Sequence, residues 1–342
     1  MNKDLELLKE LCMKISVSGN EKAVRELIIR EIKNYCEYEV DNTGNIIAFK
    51  KGRNKAKNKT MIASHMDEVG FIITGINEDG TLKFSAVGGI DERILPSSKV
   101  IINDNILGTI AEVPIHLVPG EEKGKFSDAD KLTIDIGAKN KEEAENAVSL
   151  GDIVSFKPNF EFFGEDLIKA KALDDRIGCF ILIDLIKSDL KYDMYFAFTV
   201  QEEIGLRGAK TAAYKINPDY AIVIEATTAA DIAGVPYESQ ICNLGNGAAV
   251  SFMDGRTIYD KTLYELAFKL AKENEIMIQQ KRGISGGNDA GAIHQSRDGV
   301  PTAAISLPCR YLHSPACVIC EDDIDSVKSL ALKLSERIAG GL

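Results

Sequence analysis

The feature that most constrains the fold is an interruption. Up to about residue 64, and again from about Gly164, the chain alternates helix-like and strand-like segments. Between Val69 and Phe163 it does not. Strand patterns fall there over 69–76, 81–87, 99–102, 106–113, 132–136 and 152–156, with a helical pattern only over 141–148. Asn77-Glu78-Asp79-Gly80 reads as a hairpin turn, with glycine where a left-handed residue is wanted. Short strands with few helices suggest a small β-barrel or sandwich. Because α/β sequence flanks it on both sides, it reads as an insertion. The expected fold class is α/β: a mixed-sheet α/β/α domain formed from residues 1–67 and 164–342, with a small β-barrel-like domain inserted over 68–163.

In the flanking sequence, strands are expected over 45–49, 60–64, 193–200, 220–224 and 302–307. Helices are expected over 176–190, 206–213, 259–273 and 324–338. Ser18 followed by Glu21 fits a capping box ahead of Ala23, Val24, Leu27, Ile28 and Ile32. The basic segment 51–59 reads as an exposed turn. Alternation of this kind implies a sheet with helices on both faces.

The strands end in unusual company. Tyr195-Phe196-Ala197-Phe198-Thr199-Val200 runs straight into Gln201-Glu202-Glu203. Charge at the carboxyl end of a buried strand points to chemistry more than to packing. His65, Asp174, Glu225 and His313 sit at the ends of similar runs. His65 and Asp67 form His-x-Asp after a strand, a spacing that lets the aspartate hold one ring nitrogen while the other binds a metal. Asp174 precedes a helix and can bridge two cations, or cap that helix; Asp175 or Arg176 would structure the turn. Glu203 is assigned as a ligand and Glu202 as general base, although the sequence alone permits the swap. Glu225 is the preferred further ligand, with Asp231 as its alternative or as a contact for a substrate ammonium. His116 and His294 are read as structural or substrate-facing. Asp289, in Gly286-Gly287-Asn288-Asp289, could hold a substrate amine, support a ligand or simply turn the chain. The glycine-rich stretches at Gly88-Gly89 and Gly286-Gly287 lack a phosphate-loop ending and read as sharp loops lining a cleft.

The charges balance as a two-metal site. Asp174, Glu203 and Glu225 with a bridging hydroxide would offset two divalent cations, with both histidines neutral. Two such ions activate water for hydrolysis, and mixed nitrogen and oxygen donors suit zinc, cobalt or manganese better than calcium. Glu202 would pass the water's proton to the leaving amine.

Composition narrows the partners. A formal net charge of -11 argues against nucleic acid, whose binders need a basic footprint. With no tryptophan, a sugar-stacking groove is not indicated. Met1 to Glu6 opens without an apolar signal run, and no stretch nears the ~18 apolar residues of a membrane span, so a cytoplasmic location is expected. Seven cysteines, irregularly spaced, are no secreted disulfide framework. Cys317-Val318-Ile319-Cys320 has the spacing of a redox or zinc pair but lacks a second pair for a four-thiolate site, and reads as free, partly buried thiols.

Taken in order, Ser64-His65-Met66-Asp67-Glu68-Val69-Gly70, Ala172-Leu173-Asp174-Asp175-Arg176, Gln201-Glu202-Glu203-Ile204-Gly205, Gly286-Gly287-Asn288-Asp289-Ala290 and Pro308-Cys309-Arg310-Tyr311-Leu312-His313-Ser314 resemble the M42 metallo-aminopeptidases over nearly the whole chain. That resemblance implies removal of single amino-terminal residues from short peptides by two divalent ions. It places His65, Asp174, Glu203, Glu225 and His313 on the five ligand positions, Asp174 bridging. Glu202 falls on the catalytic carboxylate and Asp67 on the aspartate that orients the first histidine. It also implies a dimerisation or assembly role for the insert, and a homo-oligomer, in many members a tetrahedral dodecamer built from dimers. Members differ in preferring acidic, neutral or basic first residues, so the resemblance leaves that preference open. The competing reading is another two-metal amide hydrolase, a carboxypeptidase or amino-acid deacylase, for which Arg310 would read a carboxylate. A glycosidase reading would leave His65 and His313 without a role.

Overall fold

The computed structural model describes residues 5–120 and 129–342. In chain order the strands are β1 (Glu37–Val40), β2 (Ile46–Lys50), β3 (Thr60–His65), β4 (Gly70–Ile76), β5 (Leu82–Val87), β6 (Lys99–Ile102), β7 (Ile106–Ala111), β8 (Thr133–Asp135), β9 (Ile153–Phe156), β10 (Phe160–Phe163), β11 (Leu167–Ala170), β12 (Met194–Thr199), β13 (Tyr220–Thr228), β14 (Ala248–Val250), β15 (Ile278–Gln280), β16 (Thr302–Cys309) and β17 (Cys317–Cys320). The helices are α1 (Leu5–Met13), α2 (Lys22–Ile32), α3 (Lys141–Ala147), α4 (Leu173–Lys187), α5 (Arg207–Ile216), α6 (Lys261–Glu273), α7 (Ala290–Ile293) and α8 (Glu321–Ala339).

The main sheet has the order β1-β2-β12-β3-β13-β16-β14-β15. Its centre, β12-β3-β13-β16, is parallel, while β2 and β14 pair antiparallel on either side. The sheet is therefore mixed, as expected. Central strands are buried on both faces, which is why they read as continuous apolar runs. Alternate residues split between two cores. Ile62, Phe196, Phe198, Ile222, Ile224 and Ile305 pack against α1, α2, α4, α6 and α8. Met61, Ala63, Ala197, Ala221 and Val223 face Ala209, Ala212 and Ala213 of α5 and Ala290 and Ile293 of α7. Small side chains on this second face let the thin helical layer lie close. The result is an α/β/α sandwich.

Strands β4-β5-β8-β7-β6-β9 close a barrel. Phe71 centres its core, edge-on to Phe84 at 5.2 Å and Phe156 at 5.4 Å between ring centroids. Gly108 is required there, because a Cβ would come 2.8 Å from Ile134. The hairpin turn forms as expected, with Gly80 at φ 86°. A further three-stranded sheet, β10-β11-β17, joins the segment after the barrel to the end of the chain.

Buried charge ties the barrel to the sandwich. Glu68 takes hydrogen bonds from Lys171 Nζ at 2.7 Å on both oxygens, from Arg176 at 3.2 Å and from the Ser16 amide at 2.9 Å. Arg176 also donates to the Leu11 carbonyl at 2.7 Å.

Some expectations need correcting. Ser18 and Glu21 do not form a capping box: Ser18 donates to Asp67, and Glu21 accepts from the Gly19 and Gln201 amides. Strand β13 runs to Thr228, so Glu225 lies within it, not at its end. Helix α4 begins at Leu173, with Asp174 and Asp175 non-helical inside it. Elements α1, α7, β1, β10, β11, β14, β15 and β17 were not anticipated. Cys317 and Cys320 fall on one strand and, being three apart, on opposite faces; all seven cysteines are free.

Candidate metal centre

The parallel strands deliver their carboxyl ends to one edge of the sheet, the place where open α/β sheets gather functional groups. Thr199 of β12 is in register with His65 of β3, and Glu225 of β13 with Ser306 of β16. The loops leaving β11, β12 and β16 turn sharply. Ala172, Gln201, Leu206, Tyr311 and His313 all adopt positive φ near 55–58° without being glycine. Such residues are uncommon and concentrate at functional turns.

The turns bring the acidic and imidazole groups together around a cavity of about 450 Å³. His65, Asp174, Glu202, Glu203, Glu225 and His313 all line it. Asp174 lies between the two histidines. Its Oδ1 is 3.2 Å from His65 Nε2 and its Oδ2 is 3.2 Å from His313 Nε2. Glu225 Oε1 lies 3.3 Å from His65 Nε2, and Glu203 Oε2 lies 3.3 Å from His313 Nε2. Three groups could each hold an ion, with ligand atoms within 4.8 Å of one another: His65, Asp174 and Glu225; Asp174, Glu203 and His313; and His65, Glu202 and Glu203. The first two share Asp174 alone, and the third leaves open the swap of Glu202 for Glu203 that the sequence permits. Glu203 Oε1 is buried with no hydrogen-bond partner, a donor atom left over for a cation.

Neighbouring groups fix the rings. His313 Nδ1 donates to the Gly89 carbonyl at 2.7 Å, which leaves Nε2 as the free lone pair. His65 Nδ1 faces Asp67, 3.4 Å from Oδ1 and 3.1 Å from the backbone oxygen. Asp67 in turn accepts from the amides of Glu202 at 3.0 Å and Glu203 at 3.2 Å, and from Ser18 Oγ at 2.6 Å. One buried carboxylate therefore sets both a histidine and the acidic turn. Asp175 points away from the cavity, held by Ser64 Oγ at 2.5 Å and the Gly178 amide at 3.0 Å.

Crowding of like charge shifts the protonation of these groups. Burial opposes a charged ring at His65, but Glu225, Asp174 and Asp67 outweigh it and raise its pKa well above the ordinary value. At His313 the same contest, with Asp174 and Glu203 prevailing, gives about 10. Burial, then repulsion from Asp174, pushes Glu203 up to about 8, and burial raises Glu202 well above the carboxylate range. Asp174 goes the other way: burial disfavours its charge, yet hydrogen bonds from His313 and His65 hold it low. The cluster thus gathers protons where positive charge is missing.

Other candidate residues lie elsewhere. Asp231 is engaged by Arg310 through two hydrogen bonds of 2.8 Å, so neither is free for a ligand role or for a substrate carboxylate. Asp289 is buried beneath the site, accepts from Thr199 and does not line the cavity. His294 donates Nδ1 to the Ala290 carbonyl at 2.7 Å, and His116 sits exposed in the loop after β7. Both glycine-rich loops do line the cavity, through Gly89 and through Gly286 and Gly287. Residue-by-residue reading missed Arg256 and Lys281, which also line it. Isolated cations in polar sequence carry no signal that separates them from surface charge.

Comparison with known proteins follows the same lines. A family model described as M42 glutamyl aminopeptidase matches residues 44–330. A curated putative aminopeptidase from Acetivibrio thermocellus is 39% identical over 331 residues, covering 96% of this chain and 97% of its own. The solved structure of a TET aminopeptidase from a marine sediment archaeon (Thaumarchaeota) superposes with a TM-score of 0.94 at 33% identity, covering 98% of this chain and 97% of the other. The TET1 peptidase of Pyrococcus horikoshii, described as assembling into a tetrahedron or a large octahedral shell, matches with a TM-score of 0.85 at 35% identity over 99% of this chain and all of the other.

Proposed function

The chain belongs to the M42 family of metal-dependent aminopeptidases, and from that premise we propose how its residues divide the work. His65, Asp174 and Glu225 would hold one divalent cation and Asp174, Glu203 and His313 the other, Asp174 bridging through its two oxygens. The single observation behind this is the placing of Asp174 Oδ1 and Oδ2 each 3.2 Å from a different histidine Nε2. Mixed imidazole and carboxylate donors suit zinc or cobalt, with manganese a further fit. Two such cations supply Lewis acidity, polarising the scissile carbonyl and lowering the pKa of water.

Glu202 is then the proton carrier. It lines the cavity and no hydrogen bond engages its carboxylate among the described residues. It would take a proton from the attacking water as the new C–O bond forms, and deliver it to the leaving nitrogen as the C–N bond breaks. Asp67 holds the Glu202 amide and the His65 ring, so its part is positioning.

We further read residues 68–163 as an inserted assembly unit, and residues 1–67 and 164–342 as the catalytic domain. Val113, Ile115, Leu117 and Leu150, all within residues 68–163, are exposed large apolar side chains, as contact with another copy would use. A homo-oligomer built from dimers, up to a tetrahedral dodecamer, fits the relatives and would admit only short peptides. No helix among the described residues is long and apolar enough to cross a membrane. Seven free thiols fit a cytoplasmic location.

The test is a peptide panel with metal-loaded enzyme. Cleavage should require a free amino terminus and tolerate an amidated carboxyl terminus. A requirement for a free carboxyl terminus, or for an acyl cap, would overturn the assignment.

A further inference from the structure

Asn288 lines the cavity and carries a hydrogen-bond donor that the fold does not use. It is only 3% exposed, and buried amides normally have their polar atoms paired. The side chain offers one oxygen and two N–H groups. Its oxygen accepts from the Ala290 amide at 2.9 Å, which fixes the two ends of the amide. Its nitrogen lies 3.1 Å from the Tyr259 hydroxyl. That hydroxyl gives its only proton to Asp254. Burial, then the Asp254 charge, raises the Tyr259 pKa, so the proton stays in place. Towards Asn288 the hydroxyl is therefore an acceptor, and it takes one N–H. The second N–H has no partner among the described residues.

The surroundings hold this amide still. Asp254 accepts from the amides of Arg256 at 2.7 Å and Thr257 at 2.8 Å as well as from Tyr259, so the hydroxyl that anchors Asn288 is itself anchored. The Gly255 amide donates to the Gly286 carbonyl at 2.8 Å and locks that turn to the loop bearing Asn288. The two run close together: a Cβ on Gly287 would lie 2.4 Å from Arg256 Cγ. On the other side Asp289 accepts from Thr199, the last residue of β12 and three before Glu202. The unused donor is thereby tied to the strand that delivers Glu202, and both residues line the same cavity. The roles given to the ligands, to Glu202 and to Asp67 leave it without a task.

We propose that the second N–H of Asn288 donates to the scissile carbonyl oxygen, which makes Asn288 a further catalytic residue. The inference rests on the reading of this cavity as the site of amino-terminal cleavage. As water adds to the carbonyl carbon, the C=O π pair moves onto the oxygen. A donor already fixed in place then gains more than it does on the neutral substrate. When the C–N bond breaks the pair returns and the carbonyl re-forms. Asn288 gives up no proton at any stage, and the proton transfers stay with Glu202.

The test uses metal-loaded enzyme and whichever of the Leu, Glu and Lys p-nitroanilides the wild type cleaves fastest. Asn288→Ala should lower kcat by about 10²-fold with KM nearly unchanged. That is the lower end for one oxyanion donor, because the charge there is shared with the cations. Asn288→Asp keeps the oxygen that holds the Ala290 amide but, ionised, has no donor, and should lose as much. Affinity for the α-aminophosphonate of the same first residue, a tetrahedral mimic, should fall with kcat, while affinity for the free amino acid stays within about threefold. The ratio of the two affinities is insensitive to the fraction of folded enzyme. Wild-type kcat in Asn288→Asp would overturn the inference and leave Asn288 as a brace for its loop. A rise in KM alone would overturn it too, assigning the N–H to ground-state binding. Both results leave the cleavage reading intact. Cleavage that requires a free carboxyl terminus or an acyl cap would overturn the reading and the inference together.

Discussion

The Nδ1–H of His313 donates to the backbone carbonyl of Gly89 across 2.7 Å. One residue is a candidate metal ligand near the end of the chain; the other lies on the loop leaving β5 of the barrel. The barrel therefore orients a candidate ligand ring directly, through one carbonyl.

Gly88 tests that relationship. Its φ is +89°, and a Cβ there would lie 2.8 Å from Val69 and 3.3 Å from Glu203 Cβ. Gly88→Ala should shift both the Gly89 carbonyl and Glu203 and weaken the second metal about 10- to 100-fold. Gly89→Ala, where the nearest atom is 3.8 Å away, should be milder. Metal titration of the two variants checks the contrast.

Glu202→Gln keeps the shape and removes the base. Metal content should stay at two per chain and turnover should drop by about 10²- to 10⁴-fold. Retained turnover would remove Glu202 from the proton-carrying role.

Asp67→Asn acts one step back. The amide cannot hold His65 Nδ1–H and the amides of Glu202 and Glu203 as a carboxylate does. Metal affinity should fall about 10- to 100-fold, measured by competition with a chelating dye.

Metal uptake should depend on pH in a fixed direction. In the metal-free fold Glu203 is raised to about 8 and His313 to about 10, so both hold protons at pH 6. A cation must displace those protons, and fewer remain to displace as pH rises. Apparent affinity should therefore climb from pH 6 to pH 9. Isothermal titration in buffers of different ionisation enthalpy would show proton release, largest at the acid end.

Stability should hinge on Glu68. Removing it in Glu68→Ala strands Lys171 and Arg176 as buried cations. The expected loss is about 3–5 kcal/mol, read from denaturant unfolding.

Much of this was legible in the sequence. Central strands buried on both faces spell out as apolar runs, and His65 and Glu202-Glu203 punctuate their ends. The barrel was legible because its strands are short and its turn residues explicit. What escaped depends on tertiary partners. Ser18 and Glu21 satisfy a capping pattern, but Asp67 and Gln201 claim them. Strand β13 passes Glu225 because pairing with β16 continues to Thr228, and nothing local marks where pairing stops. Lys281 looks like any surface lysine until the fold buries it beside a cavity.

The most direct measurement of the central claim is anomalous diffraction from crystals loaded with zinc or cobalt. Two peaks about 3.5–4 Å apart should flank Asp174, one beside His65 and Glu225 and the other beside His313 and Glu203. A single peak at full loading, or a second peak away from Asp174, would contradict a bridged two-metal centre.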